Sequence, residues 1–107
     1  MRRAAKVDAN QAEIAHALRN AGASVHLMHA VGDGFPDLAV GYRGSNYLLE
    51  IKVEGAVPSA YGTMTKPQVK WHTEWRGHAE IVHNAEEAFE ACGIPYVLSV
   101  PMRGAIE

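Results

Sequence analysis

The tightest constraint in the chain is a central stretch where two β-prone runs, Asp37 to Tyr42 and Tyr47 to Val53, flank Arg43-Gly44-Ser45-Asn46. Alternating runs around a polar, glycine-containing turn read as a β-hairpin. Side chains alternate along a strand, so Glu50 and Lys52 share one face while Leu49, Ile51 and Val53 share the other. A two-residue turn at Arg43-Gly44 puts Asp37 directly opposite Glu50. A four-residue loop puts it opposite Lys52 and diagonal to Glu50. Either way Asp37, Glu50 and Lys52 gather on one face, within about 4.5–8 Å at Cβ, whereas a three-residue loop would scatter them.

Two carboxylates that close repel each other unless a cation or a proton lies between them. Oxygen ligands select a hard divalent ion, magnesium or manganese, over zinc. Lys52 beside them is placed to lower the proton affinity of a metal-bound water, to orient it, or to balance phosphate charge. The plainer alternative is a solvent-facing salt-bridge cluster. Gly32-Asp33-Gly34-Phe35-Pro36 leads into Asp37 with two glycines, either for close approach of the backbone to a ligand or simply to turn. Glu13 borders the apolar stripe of a first helix and is either a third carboxylate or a surface glutamate. Gln68 falls at the third position of a second helix, where capping accounts for it and the site is within its reach.

The rest of the chain supplies the frame. Asp8 and Gln11 form a capping box that opens a helix over Ala9 to Ala21, with Ile14, Ala17, Leu18 and Ala21 as its apolar stripe. A half-buried strand follows over Ser24 to Val31. Glu54 to Met64 reads as a mobile loop. Thr65 and Gln68 cap a helix over Lys66 to Arg76, His78 to His83 is a short strand, and Asn84 and Glu87 cap a helix that Gly93 closes after Cys92. Ile94 to Val100 is apolar but holds Pro95, so an edge strand or packed arm is expected. The order α-β-β-β-α-β-α implies a mixed sheet flanked by helices, in the α/β or α+β class, and 107 residues suit one domain spanning 1–107.

Composition narrows the function classes. Cys92 is the lone cysteine, which excludes an internal disulfide and a cysteine-rich zinc fold and fits a reducing, cytoplasmic setting. No apolar run approaches the roughly 18 residues of a membrane span, so no membrane partner is expected. With ten Lys and Arg against twelve Asp and Glu the net charge is −2, which argues against a simple phosphate-coating binder but not against a local basic patch. The six histidines do not suggest structural zinc: His26 and His29 point to opposite faces of a strand, and His72, His78 and His83 have no cysteine partners. Trp71 and Trp75, one helical turn apart, are expected to pack against the sheet rather than stack on bases. Tyr61 is the aromatic better placed to touch nucleic acid. Cys92 is expected to be a small buried group at a helix end.

Pro36-Asp37, twelve intervening residues and Glu50-Ile51-Lys52 together resemble the signature of the PD-(D/E)XK nuclease superfamily. The wider string of Asn10-Gln11-Ala12-Glu13, Gly32 to Asp37, Tyr47 to Lys52 and Thr65-Lys66-Pro67-Gln68 through Trp71 resembles its small stand-alone VRR-type branch, often phage-encoded and similar to Holliday-junction resolvases. The likeness spans residues 10 to about 83, and the loop Ala56 to Met64 has no counterpart in it. The resemblance implies a restriction-endonuclease-like αβββαβ core and in-line hydrolysis of a DNA phosphodiester with magnesium, manganese substituting. It implies Asp37, Glu50 and the carbonyl of Ile51 as metal ligands, and Glu13 as an auxiliary ligand. Lys52 would activate the attacking water, and Gln68 would support the site. Steering of DNA falls to Lys66, Lys70 and Arg43, with Arg2, Arg3, Lys6 and Arg76. A homodimer is expected, since one site per chain cannot cut both strands of a junction, and Ile94 to Val100 is a candidate for that contact. The competing classes are a DNA-binding module on the same fold without catalysis, and a protein–protein adaptor whose acidic hairpin is a solvated face.

Overall fold

The computed structural model describes residues 2–52 and 64–96, with side chains from residue 10 onward in those ranges. The chain runs α1 (Arg2–Asn20), β1 (Ser24–Leu27), β2 (Leu38–Tyr42), β3 (Ser45–Ile51), α2 (Lys66–Glu74), β4 (Ala79–Val82) and α3 (Ala85–Ala91). The strands form one mixed sheet in the order β1-β2-β3-β4, antiparallel from β1 to β3 and parallel between β3 and β4. The anticipated succession of elements is the observed one.

The hairpin takes the two-residue option. Arg43 (φ 50°) and Gly44 (φ 83°) are both left-handed, as the primed turn that suits the twist of paired strands requires. Tyr42 pairs with Ser45 and Leu38 with Leu49, so one further step places Asp37 across from Glu50. Leu38, Val40, Leu49, Ile51 and Val82 turn to one side of the sheet. There they form the core with Ile14 and Leu18 of α1 and Ala88 and Phe89 of α3. Each large aliphatic side chain sealed there contributes about 1.5–3 kcal/mol. Glu50 and Lys52 turn to the other side, which α2 covers.

Local chemistry sets the helix ends. Thr65 Oγ1 accepts from the Gln68 N–H while the Gln68 side chain accepts from the Thr65 N–H, a complete capping box worth about 1 kcal/mol. Asn84 Oδ1 accepts from the Glu87 N–H, and the Glu87 carboxylate accepts from the His83 N–H. Past α3, Gly93 (φ 70°) lets Ile94 N–H reach the Phe89 carbonyl and its own N–H reach that of Glu90, closing the helix.

Four expectations are corrected. α1 starts at Arg2 rather than after Asp8, because the Ala- and Arg-rich residues upstream propagate a helix once it is nucleated. β1 stops at Leu27, and two successive turns, Met28–Val31 and Gly32–Phe35, replace its last residues. α2 ends at Glu74 and buries no residue. Trp71 and Trp75 therefore do not pack into the sheet. They stack on each other at 4.6 Å and meet the edge of Phe35, because polar contacts to Glu50 occupy the surface beneath the helix. Ile94–Tyr96 belongs to no strand, while Val97 to Val100, most of the loop from Glu54 to Met64, and Tyr61 with it lie outside the described residues. Cys92 is buried as expected, its thiol pushed up to about 11 by burial and then by Glu80.

Candidate active site

Three segments converge over the polar side of β3. The hairpin register brings Asp37 to Glu50, and Asp37 Oδ2 accepts a 2.8 Å hydrogen bond from the Ile51 N–H, so the strand's own backbone orients the first acid. Glu50 is 1% exposed. Its carboxyl is pushed up to about 8, chiefly by burial and then by the neighbouring Asp37 charge, with Lys52 opposing. Without a cation, that acid holds a proton at neutral pH.

Gln68 ties the third segment in. Its Oε1 accepts from Lys52 Nζ at 2.7 Å and from the Thr65 N–H at 3.0 Å, and its Nε2 donates to Glu50 Oε2 at 2.9 Å. Two donors meeting one end of the amide fix which end is oxygen. One residue thus caps α2, holds the ammonium and holds the acid. Lys52 Nζ stands 3.6 Å from Glu50 Oε2, with the amide bridging the two groups. The backbone of Lys52 is pinned by its N–H to the Val82 carbonyl at 2.9 Å.

Gly34 sets where α2 lands. It is left-handed (φ 80°), and a Cβ there would run into the carbonyl of Pro67 and lie 2.9 Å from the Gln68 nitrogen. The glycine-rich lead-in therefore approaches the chain's own helix closely, rather than a ligand, and so seats Gln68 over Glu50.

Sequence reasoning passed over His72. It lies one helical turn after Gln68, on the same face of α2, with Nε2 3.7 Å from Glu50 Oε1. Burial and then Lys52 lower its pKa, against the pull of Asp37, so the ring is neutral at pH 7. The readable signal was the spacing from Gln68. Any residue four positions beyond a capping glutamine that reaches a site shares its face.

Asp37, Glu50, Lys52, Gln68 and the backbone of Ile51 are thus brought together. Glu13 is not among them. It is exposed beside the buried Ile14, with no described hydrogen bond or ion pair to either acid, because α1 packs on the apolar side of the sheet. Arg43 sits at the hairpin's far end, about 20 Å of strand from Asp37, with its guanidinium 5.5 Å above the Tyr42 ring. Lys66 and Lys70 are exposed on α2 and, with Asp33, Pro67, Trp71 and Glu74, line a cleft of about 470 Å³ that none of Asp37, Glu50, Lys52 and Gln68 lines. Lys70 is paired with Glu74 at 2.9 Å.

The residues fit a hard cation at one point in particular: Glu50 Oε1 is buried and has no hydrogen-bond partner. Among the described residues no group of three or more His, Cys, Asp or Glu side chains stands close enough to hold a metal ion as placed.

A mixed four-stranded sheet with this strand order, helices on its faces and two acids beside a lysine at one hairpin end defines a restriction-endonuclease-like α/β fold. A solved structure described as a VRR_NUC domain has that fold at a TM-score of 0.59 and 22% identity, over 85% of this chain and 98% of the other. The chain thus has the fold of the nuclease branch its motifs resemble. No family model matches the chain, and no curated protein matches it. No helix among the described residues is long and apolar enough to cross a membrane.

Proposed function

We propose that the chain is a magnesium-dependent endodeoxyribonuclease, with manganese able to substitute, that hydrolyses DNA phosphodiesters and acts on branched DNA as a homodimer. The observation that carries this is the gathering of Asp37, Lys52 and Gln68 around the buried Glu50, with Gln68 and Lys52 at Oε2 and Oε1 left without a hydrogen-bond partner. A bare salt-bridge cluster would leave its charges in water; this one buries an acid to 1% exposure, an arrangement costly to keep without a ligand.

Asp37, Glu50 and the Ile51 carbonyl would hold the ion, which supplies Lewis-acid stabilisation of charge developing on the phosphate. Asp37 is pre-oriented by the Ile51 N–H, and Glu50 by Gln68. Lys52 holds its ammonium 3.6 Å from Glu50 Oε2, where it would position the attacking water and balance phosphate charge. Gln68 sets the height of that ammonium through its 2.7 Å hydrogen bond. Glu13 would act only as an auxiliary ligand, through water, since it is exposed.

Lys66, Lys70 and Trp71 border a cleft along α2, the helix that carries Gln68, and would form the nearer part of the DNA track, with Arg43 a remote phosphate contact. Junction cutting needs two sites, and each chain offers one set of these residues, which supports a homodimer. The buried, unpaired Cys92 thiol is consistent with a reducing, cytoplasmic setting.

The test is incubation of the purified chain with linear, flap and four-way DNA and magnesium, wild type beside Asp37→Ala, Glu50→Ala and Lys52→Ala. Cleavage by the wild type alone, fastest on branched DNA, is expected. Binding without cleavage across several metals would make the chain a DNA-binding module, and neither binding nor cleavage would make it an adaptor.

A further inference from the structure

Two polar atoms in the site lack a hydrogen-bond partner, and they face each other. Glu50 Oε1 and His72 Nε2 are both shielded from solvent and unsatisfied, 3.7 Å apart, on side chains 1% and 12% exposed. That separation is too long for a hydrogen bond. Leaving one such atom unpaired costs about 1–3 kcal/mol, and here two are left beside each other.

The surroundings hold the pair in place. Gln68 occupies the other oxygen of Glu50 at 2.9 Å, which turns Oε1 toward His72. The edge of the His72 ring meets Trp71 at 4.9 Å and 75°, which fixes its plane. Donors bind a divalent first-row or alkaline-earth ion at about 2.0–2.3 Å, so neighbouring ligands on one ion stand about 3 Å apart. A shift of under an ångström in either side chain closes the gap to that spacing.

We propose that His72 Nε2 is a direct ligand of the cation held by Glu50 and Asp37, making a mixed oxygen–nitrogen site that binds manganese more tightly than magnesium, whichever ion supports cleavage. The proposal rests on the reading of Glu50 and Asp37 as cation ligands. An imidazole nitrogen adds little for magnesium, which keeps to oxygen and water, but it suits manganese and the later first-row ions. The donors are not closed into a finished cluster, so binding draws His72 and Glu50 together and satisfies both orphaned atoms at once.

The test is pulsed electron paramagnetic resonance on the full chain loaded with Mn²⁺, unlabelled and with ¹⁵N-histidine. Nitrogen coupling of a directly bound imidazole is expected, switching from ¹⁴N to ¹⁵N on labelling and vanishing in His72→Leu. Calorimetry should show Mn²⁺ binding weakened at least about tenfold in that variant, with Mg²⁺ binding changed less. Mn²⁺ that binds the wild type, is lost in Glu50→Gln and shows no histidine coupling overturns the role of His72 alone. Coupling that persists in His72→Leu does the same. No Mn²⁺ binding by the wild type overturns the cation reading together with it. If His72→Leu fails to fold, the labelled wild type decides.

Discussion

On the side of the sheet turned toward α1 and α3, Leu38 and Leu49 are completely sealed from water; on the side under α2, Glu50 is sealed almost as well, at 1% exposure. Equal burial has opposite energetic meaning in the two places. Removing Leu49 from water is favourable and needs no partner. Removing Glu50 from water is costly, and its carboxyl answers by moving up to about 8 and taking a hydrogen bond from Gln68. One side of β3 serves the fold. The other holds a group in a state the fold alone would not choose, which supports the proposal of an active site there.

Substitutions should separate the two sides. Leu49→Ala, which opens a cavity in the core, should lower unfolding stability by about 2–5 kcal/mol in denaturant titration. Glu50→Gln should leave stability unchanged or raise it, while lowering cleavage by roughly 100-fold or more. Equal destabilisation by both would erase the distinction. Next in size is Gly34→Ala, whose new methyl meets the Pro67 carbonyl and whose φ of 80° strains any side chain. A loss of about 1–3 kcal/mol is expected, with cleavage falling further than stability because Gln68 moves with α2.

The pH dependence of the metal-free chain sharpens the contrast. The Glu50 carboxyl rises from 4.5 in the unfolded chain to about 8 in the folded one, so the folded state holds a proton that the unfolded state gives up. Its contribution to stability is complete below pH 4.5 and is lost as pH climbs through about 8. Thermal melts of the wild type should therefore fall across that window, and those of Glu50→Gln should fall less. Cation binding should release protons at pH 7, measurable by calorimetry in buffers of different ionisation enthalpy. Smallest is Lys70→Ala, which breaks an exposed i,i+4 pair with Glu74 and should cost at most about 0.5 kcal/mol. It should also reduce the salt slope of DNA binding by about one.

The legible parts of the molecule were local. The α2 cap follows from Thr65 and Gln68, the close of α3 from Gly93, and the meeting of Asp37 with Glu50 and Lys52 from strand alternation around an even-length turn. Local rules misplaced what depends on distant partners. The tryptophans looked like core residues by type, yet they stack beside the site because α2 lies over a polar face. His72 was set aside for want of cysteines, and the group it faces is a carboxylate 22 positions away.

Sequence alone determined a hairpin turn within Arg43 to Asn46 and, for either even length, that Asp37, Glu50 and Lys52 share one face, because two-residue alternation acts between near neighbours; the two-residue turn itself was read from the register. Tertiary structure decided that Gln68 and His72 lie over Glu50. That placement depends on the backbone of Gly34 meeting the first turn of α2, a contact between segments about thirty residues apart that no local pattern encodes.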